Sequence, residues 1–271
     1  MEEEIVSLIH RAFASFGGKC KYRCNHCYTF IDKFNTYHTN SISGIISDLE
    51  IEEFNTIYIS GYNENFIDPE RGISLIEQLY QRFKCNILFT TRNVFDKSNI
   101  QRVSEINKKM AEEKRKLFAC VSISAYDSYK KLEPNNIIPS PQERICFVKS
   151  LYQNQITTFL TLRPICPNIF IPTTEYIRIL EQVGKECDGV ISSGIVVNDE
   201  ILNKLNGFPD DFQFTNSLIM PCLHQDNLFV KYVNVEKELA TIKEKCKRVD
   251  VPFYSGSIEA IAEHSKAENY I

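Results

Sequence analysis

The segment FACVSISAYDSYKKLEPNNIIPSPQERICFVKSLYQNQITTFLTLRPICP (residues 118–167) holds two short runs rich in β-branched and aromatic residues, separated by a longer amphipathic run. The outer runs predict strands at 117–124 and 156–163, and the middle run predicts a helix at 141–154. A strand, a helix and a second strand in this order indicate a βαβ unit with parallel strands.

The same alternation continues on both sides of this segment. Further strands are predicted at 12–16, 55–60, 86–92 and 189–197, and further helices at 40–53, 71–83, 97–115 and 173–186. Strands that alternate with helices of this length are typical of a parallel sheet covered by helices. The sequence therefore predicts an α/β fold, a partial (β/α)6 barrel of the TIM type, over residues 1–206.

Two of the predicted strands have one unusually polar face. Successive side chains of a strand point to opposite faces, so each strand presents one set to the helices and the other to the barrel interior. The sets opposite the aliphatic residues are Thr157, Phe159, Thr161 and Arg163 in one strand, and Cys120, Ser122 and Ser124 in the other. A closed TIM barrel fills its interior mainly with branched aliphatic residues. The polar faces predict a ligand cavity; the alternative is an edge strand with one solvated face.

The pattern changes after residue 206. Residues 206–225 are predicted as a loop, 228–233 as a strand, 236–248 as a helix, 251–256 as a strand or turn, and 257–265 as a last helix. We expect residues 207–271 to form a short C-terminal α/β extension packed on the barrel. The stretch PCLHQDNLF (221–229) is a candidate cover for the barrel mouth.

Composition narrows the class of protein. The formal net charge of −4 argues against a protein that coats nucleic acid non-specifically. No run approaches the roughly 18 consecutive apolar residues of a membrane helix, and the acidic start MEEE differs from a secretory signal. We expect a cytoplasmic protein without membrane contact, whose thiols are mostly reduced.

Three cysteines stand close together in GGKCKYRCNHCYTF (17–30): Cys20, Cys24 and Cys27. Three thiols are the wrong number for disulfides and one short of a closed tetrahedral metal site. A four-iron cluster normally takes four cysteine thiolates, so a cluster bound by three leaves one iron open to another ligand. Because this loop follows the first predicted strand, it is expected at the C-terminal mouth of the barrel, where such folds carry their active sites.

The spacing C-x3-C-x2-C resembles the signature of the radical S-adenosylmethionine (radical SAM) superfamily. The blocks at 59–79, 88–96 and 118–167 are similar to the branch of spore photoproduct lyase and DNA repair photolyase-like proteins. The resemblance implies one [4Fe–4S] cluster on the three cysteines, with SAM bound to the open iron. It also implies reductive cleavage of SAM to a 5′-deoxyadenosyl radical that abstracts hydrogen from a substrate.

The resemblance further implies roles for single residues of the cofactor site. Arg92 would reach the SAM carboxylate, and Arg163 would join it at the mouth as a second guanidinium. His26 stands at the position that lies against adenine, with Tyr28 just behind the last cysteine. The remaining SAM-binding positions are Gly61 and Glu64, for the amino group, and Ser122 and Ser124, for the ribose and methionine end.

One position departs from the branch. Its lesion-repairing members carry a hydrogen-donating cysteine after the second strand, where this chain has SGYNEN (60–65). This difference argues against thymine-dimer repair. Cys166, just beyond the predicted fifth strand, is the alternative candidate for a catalytic thiol.

Other functions remain open on sequence alone. The substrate is a nucleotide, a nucleic acid or a peptide, with the first two favoured, and the electron donor is expected to be a flavodoxin or ferredoxin. A second possibility is an activase that installs a radical on a partner protein, or a peptide-modifying enzyme. A third is a non-catalytic binding module stapled by an iron–sulfur cluster or by zinc. The zinc site would take its fourth ligand from His26, His38, Cys222 or His224.

Overall fold

A computed structural model describes residues 10–30, 41–209, 212–220 and 228–265. The possible zinc ligands His38, Cys222 and His224, and most of the predicted cover at 221–229, lie outside these ranges.

Strands and helices alternate through most of the described chain. The strands are β1 (Arg11–Ala14), β2 (Thr56–Ile59), β3 (Asn86–Thr91), β4 (Leu117–Ile123), β5 (Thr157–Ile165), β6 (Gly189–Gly194), β7 (Val196–Val197), β8 (Phe214–Met220), β9 (Leu228–Val233) and β10 (Phe253–Tyr254). The helices are α1 (Ile42–Leu49), α2 (Pro69–Phe83), α3 (Lys97–Glu112), α4 (Pro141–Gln153), α5 (Thr173–Val183), α6 (Asp199–Leu202), α7 (Glu236–Arg248) and α8 (Ser257–Ser265). Short 3-10 turns lie at Tyr28–Phe30 and Ser128–Lys131.

Seven strands form one parallel sheet in the order β1-β2-β3-β4-β5-β6-β10. Each of the first five strands pairs with the next one along the chain, and the intervening helices supply the crossovers that parallel pairing requires. Helix starts are specified locally: Ser140 and Glu143 form a reciprocal capping box at α4. This arrangement confirms the predicted α/β class and partial barrel.

The two faces of the sheet differ as the sequence predicted. Val121 and Leu160 are fully buried in the large core that the helices cover. On the other face, Phe118 and Phe159 form a smaller core with Ile261 of α8. The C-terminal helix therefore fills the lower part of the barrel interior, and the polar residues of β4 and β5 lie above it.

The structure differs from the sequence prediction in the segment after β6. The predicted strand 189–197 is divided: β6 belongs to the parallel sheet, whereas β7 belongs to an antiparallel sheet of order β7-β9-β8. The predicted loop 206–225 was wrong over Phe214–Met220, which forms β8. Its pairing partner β9 is the next strand along the chain, but the preceding signal FPDD (208–211), typical of a turn, hid the strand. Strand β10 pairs with β6, so part of 207–271 extends the barrel sheet itself.

Candidate active site

A cavity of about 410 Å³ lies at the carboxyl ends of the parallel strands. This is the end of a barrel at which loops assemble active sites. The predicted site residues that line it are Cys20, Cys24, His26, Cys27, Tyr28, Gly61, Glu64, Arg92, Ser122 and Arg163. The fold thus brings all of the predicted site residues except Ser124 and Cys166 to one cavity.

The cysteine loop is held against the segment that follows β4. The backbone N–H of Asn25 donates to the carbonyl of Leu132 at 2.8 Å, and its side chain donates to the carbonyl of Lys131 at 2.9 Å. Asn135 returns the contact by donating to the carbonyl of Lys21 at 2.8 Å. One backbone bond and two side-chain amide bonds therefore fix the loop to its neighbour without regular secondary structure.

The three thiols differ in exposure. Cys24 is 6% exposed, whereas Cys20 and Cys27 are half-buried, and the Cys27 Sγ lies 2.9 Å from the Thr29 hydroxyl oxygen. Burial raises the pKa of the Cys20 and Cys24 thiols, and the guanidinium of Arg92 opposes that rise at Cys24. Among the described residues, no three His, Cys, Asp or Glu side chains converge on a point that could hold a single metal ion.

Arg92 is half-buried and belongs to a charge network centred on the fully buried Glu133. Its Nε donates to Glu133 Oε1 at 3.0 Å, and Arg144 donates to Glu133 Oε2 at 2.6 Å. Arg144 also donates to the backbone carbonyl of Ser122 at 2.6 Å, so the network ends on a cavity strand. Burial alone would raise the pKa of Glu133, but Arg144 and Arg92 outweigh it and lower the pKa to about 2.

His26 adjoins this network. Its Nε2 lies 3.3 Å from a terminal nitrogen of Arg92. Burial and the positive charge of Arg92 lower the pKa of His26 to about 3, so the ring is neutral and Nε2 is the acceptor. The other nitrogen, Nδ1, then carries the proton and is buried, and the backbone carbonyl of Leu132 interacts with the ring.

Glu64 occupies the loop between β2 and α2. Its carboxylate accepts hydrogen bonds from the backbone N–H of Arg92 at 2.7 Å and from the Thr91 hydroxyl at 2.9 Å. Burial raises the pKa of this carboxyl. Beside it, Gly61 accepts a 3.3 Å hydrogen bond from the Tyr28 hydroxyl on its carbonyl. A Cβ at Gly61 would lie 2.9 Å from the Phe13 ring, which explains the need for glycine there.

Two predicted site residues lie away from the cavity lining. Ser124 is fully buried, and its hydroxyl has no partner among the described residues. Cys166 is also fully buried, in the large core, and its backbone N–H donates to the Tyr176 hydroxyl at 3.2 Å. Burial raises the pKa of the Cys166 thiol. These positions give no support to a chemical role for either residue.

Sequence reasoning missed several residues of this region. Glu133 pairs with Arg92 and is itself paired with Arg144. Three tyrosines, Tyr22, Tyr58 and Tyr232, line the cavity. The block that runs from Glu133–Pro134 to Arg144 was visible in the sequence as a similarity, but its chemistry was not. A buried acid eleven residues before a buried arginine becomes a signal only when both are recognised as core residues.

No helix in the described part of the chain is both long and apolar enough to cross a membrane. No protein-family model matches the sequence, and no curated protein matches it.

Solved structures do resemble this one. A spore photoproduct lyase mutant with bound SAM and a dinucleoside spore photoproduct is similar with a TM-score of 0.61 and 11% identity, over 89% of this chain and 74% of that chain. SuiB of Streptococcus suis, bound to its precursor peptide SuiA, is similar with a TM-score of 0.58 and 11% identity, over 98% of this chain and 53% of SuiB. SuiB bound to SAM gives a TM-score of 0.58 at 10% identity, over 94% of this chain and 52% of SuiB.

The chain spans about half the length of SuiB and about three quarters of the lyase. Identity this low establishes the fold alone. The predicted resemblance is confirmed at that level: the protein has the fold of the radical SAM enzymes spore photoproduct lyase and SuiB.

Proposed function

We propose that the protein is a radical SAM enzyme that carries one [4Fe–4S] cluster on Cys20, Cys24 and Cys27. The observation that carries the proposal is that three thiols from one loop line the same cavity as a fixed carboxylate, Glu64, and a half-buried guanidinium, Arg92. When bound, the reduced cluster and SAM would supply the radical chemistry: one electron from the cluster would cleave SAM to methionine and a 5′-deoxyadenosyl radical, which would abstract a hydrogen atom from the substrate.

The chain's own residues would bind SAM and orient it. Glu64 and the carbonyl of Gly61 offer acceptors to the SAM ammonium, and Arg92 offers guanidinium donors to its carboxylate. His26 presents a flat, neutral ring beside the cysteines. Ser122 and Tyr28 complete the polar wall. The second core, beneath these residues, closes the lower barrel to water.

The proposed substrate is a nucleotide, a nucleic acid or a peptide. A nucleotide or nucleic acid is supported by the similar structure that holds a dinucleoside photoproduct, and a peptide is supported by the one that holds a precursor peptide. A small electron-transfer protein of the cytoplasm, a flavodoxin or ferredoxin, is the proposed reductant. Cys166 is not part of this proposal, because it lies in the core rather than at the cavity.

Anaerobic reconstitution with iron and sulfide tests the proposal. The wild-type protein is expected to hold about four iron atoms per chain and, after reduction, to convert SAM to 5′-deoxyadenosine. A Cys20→Ala, Cys24→Ala, Cys27→Ala triple variant is expected to lose both properties. The matched control is Cys146→Ala, which removes an exposed thiol of α4 and retains both.

Two results would contradict the proposal. A colourless protein that holds one tightly bound zinc ion would indicate the stapled binding module instead. A brown protein whose cluster survives the triple substitution would show that other residues bind the iron.

A further inference from the structure

Arg163 differs from Arg92 in how its charge is balanced. It stands in β5 and lines the cavity, and one terminal nitrogen donates to the backbone carbonyl of Ser255 at 3.0 Å. Its Nε is buried and has no hydrogen-bond partner. No carboxylate of the described residues lies within ion-pair distance of it, whereas Arg92 is paired with Glu133.

A second guanidinium lies nearby with the same imbalance. Arg11 donates to the Ser257 hydroxyl at 2.9 Å and lies 5.6 Å above the centre of the Tyr58 ring. Burial lowers the pKa of Arg11, the tyrosines Tyr58 and Tyr62 oppose this, and the positive charge of Arg163 lowers it further. Both acceptors of these arginines, a carbonyl and a hydroxyl, are neutral.

The two ends of the cavity thus have different chemistry. At the cysteine end, Arg92 interacts electrostatically with Cys24 and Cys27 and contacts His26. At the other end, the groups that interact with Arg163 are Arg11, Tyr58 and the buried Cys120. SAM has one carboxylate, and Arg92 beside the cysteines provides for it, so Arg163 is left with unused donors.

An arginine stays charged at any physiological pH, and a partly buried charge without a counter-charge is costly. The planar fork of a guanidinium matches two oxygens of a phosphate or carboxylate. Around Arg163 the cavity wall adds neutral donors, the hydroxyls of Ser193 and Tyr232, whereas the Ser255 hydroxyl already donates to Glu259 at 2.9 Å. Arg163 therefore has the environment of an anion-binding group whose anion comes from outside the chain.

We propose that Arg163, with Arg11 behind it, binds an oxyanion of the substrate, a phosphate or a carboxylate, while SAM occupies the cysteine end. This inference rests on the proposed function and reassigns Arg163 from the cofactor to the substrate. The substrate is thereby an anionic molecule or residue, such as a nucleotide phosphate or a peptide carboxylate.

Calorimetric titration of the reconstituted protein with inorganic phosphate, and separately with acetate, tests the inference. Each titration is run with and without saturating SAM, in a buffer free of other oxyanions. Wild-type protein is expected to bind at least one of the two probes, with an affinity that SAM changes by less than threefold. Tighter binding of phosphate points to a phosphorylated substrate, and tighter binding of acetate points to a carboxylate.

Variants of Arg163 test whether this residue binds the probe. Arg163→Gln is expected to weaken binding of the probe at least tenfold, and Arg163→Lys, which keeps the charge but loses the fork, to give an intermediate affinity. Arg248→Gln, on the exposed side of α7, is the control and is expected to match the wild type. The melting temperature and iron content of each variant show whether it is folded and contains the cluster. If Arg163→Gln is not folded, the comparison of Arg163→Lys with the wild type decides the result.

Three results would overturn the inference: competition between SAM and the probe, equal effects of Arg163→Gln and Arg248→Gln, or no binding of either probe to wild-type protein. Competition would return Arg163 to the SAM carboxylate. The proposed function is judged separately, because failure of reduced wild-type protein to cleave SAM would remove the enzyme while leaving an Arg163-dependent anion site in place.

Discussion

The ion pair between Arg92 and Glu133 connects the cavity to the protein interior: Arg92 Nε lies 3.0 Å from Glu133 Oε1. Glu133 is fully buried, and its second oxygen is held by the equally buried Arg144 at 2.6 Å. One carboxylate therefore serves two guanidinium groups, and its loss leaves both without a counter-charge. The orientation of Arg92 at the cavity depends on a residue that does not itself line the cavity.

Replacing Glu133 by glutamine is expected to destabilise the protein by about 3–5 kcal/mol, the cost of leaving a buried partner charge unpaired. Urea unfolding followed by circular dichroism measures the change. Glu105→Gln, on the exposed face of α3, is the matched control and is expected to stay within about 0.5 kcal/mol of the wild type. Equal unfolding midpoints for the two variants would show that the pair contributes little.

The same pair predicts a pH dependence. The pKa of Glu133 is about 2 in the folded protein and 4.5 as the ordinary value, so below pH 4.5 the unfolded chain binds a proton that the folded chain does not. The stability difference between wild type and Glu133→Gln is therefore constant from pH 7 to 5. Below pH 4.5 it shrinks by about 1.4 kcal/mol per pH unit until the pH nears 2. A difference that stays constant down to pH 3 would contradict this account.

The rate of thiol labelling distinguishes the buried Cys166 from the exposed Cys146. Under native conditions iodoacetamide is expected to modify Cys146, which is exposed, on the order of 100-fold faster than Cys166, which reacts only after local opening. Burial also raises the pKa of the Cys166 thiol, so little of it is thiolate. Peptide mass spectrometry over a time course gives both rates. Fast modification of Cys166 in a Cys146→Ala protein would restore it as a candidate for the chemistry.

The sequence predicted the features that depend on neighbouring residues. Strand alternation identified the polar faces of β4 and β5, and Ser122, Thr161 and Arg163 do line the cavity. The position of the cysteine loop directly after the first strand predicted its place at the barrel mouth, because a short loop stays close to the strand end that it follows.

The remaining features depend on contacts between distant segments. The ion pair of Glu133 with Arg92 joins residues 41 positions apart. Cys166 was expected near the mouth, but the register of β5 against β6 shifts between Leu162 and Ile165. Such an irregularity re-aims the side chains that follow it, and strand periodicity cannot foresee it.

Glu64 is expected to contribute to SAM affinity in the loaded enzyme. Glu64→Gln removes the negative charge offered to the SAM ammonium, and a hydrogen bond to a charged group contributes about 1.5–3 kcal/mol. The SAM dissociation constant should therefore rise about tenfold or more, as measured by anaerobic calorimetry. Glu53→Gln, at an exposed position before β2, is the control and should match the wild type. Similar dissociation constants for both variants would remove Glu64 from the SAM site.

The last prediction concerns the C-terminal helix. Ile261 of α8 is fully buried among the inner-face residues Phe118 and Phe159, so Ile261→Ala leaves a cavity inside the barrel. We expect a loss of about 2–5 kcal/mol, compared with at most about 0.5 kcal/mol for the exposed Glu263→Ala on the same helix. Because α8 supplies part of the barrel core, thermal unfolding should remain a single transition with a lower midpoint. Two transitions, of which only one responds to Ile261→Ala, would show instead that residues 207–271 fold as a unit apart from the barrel.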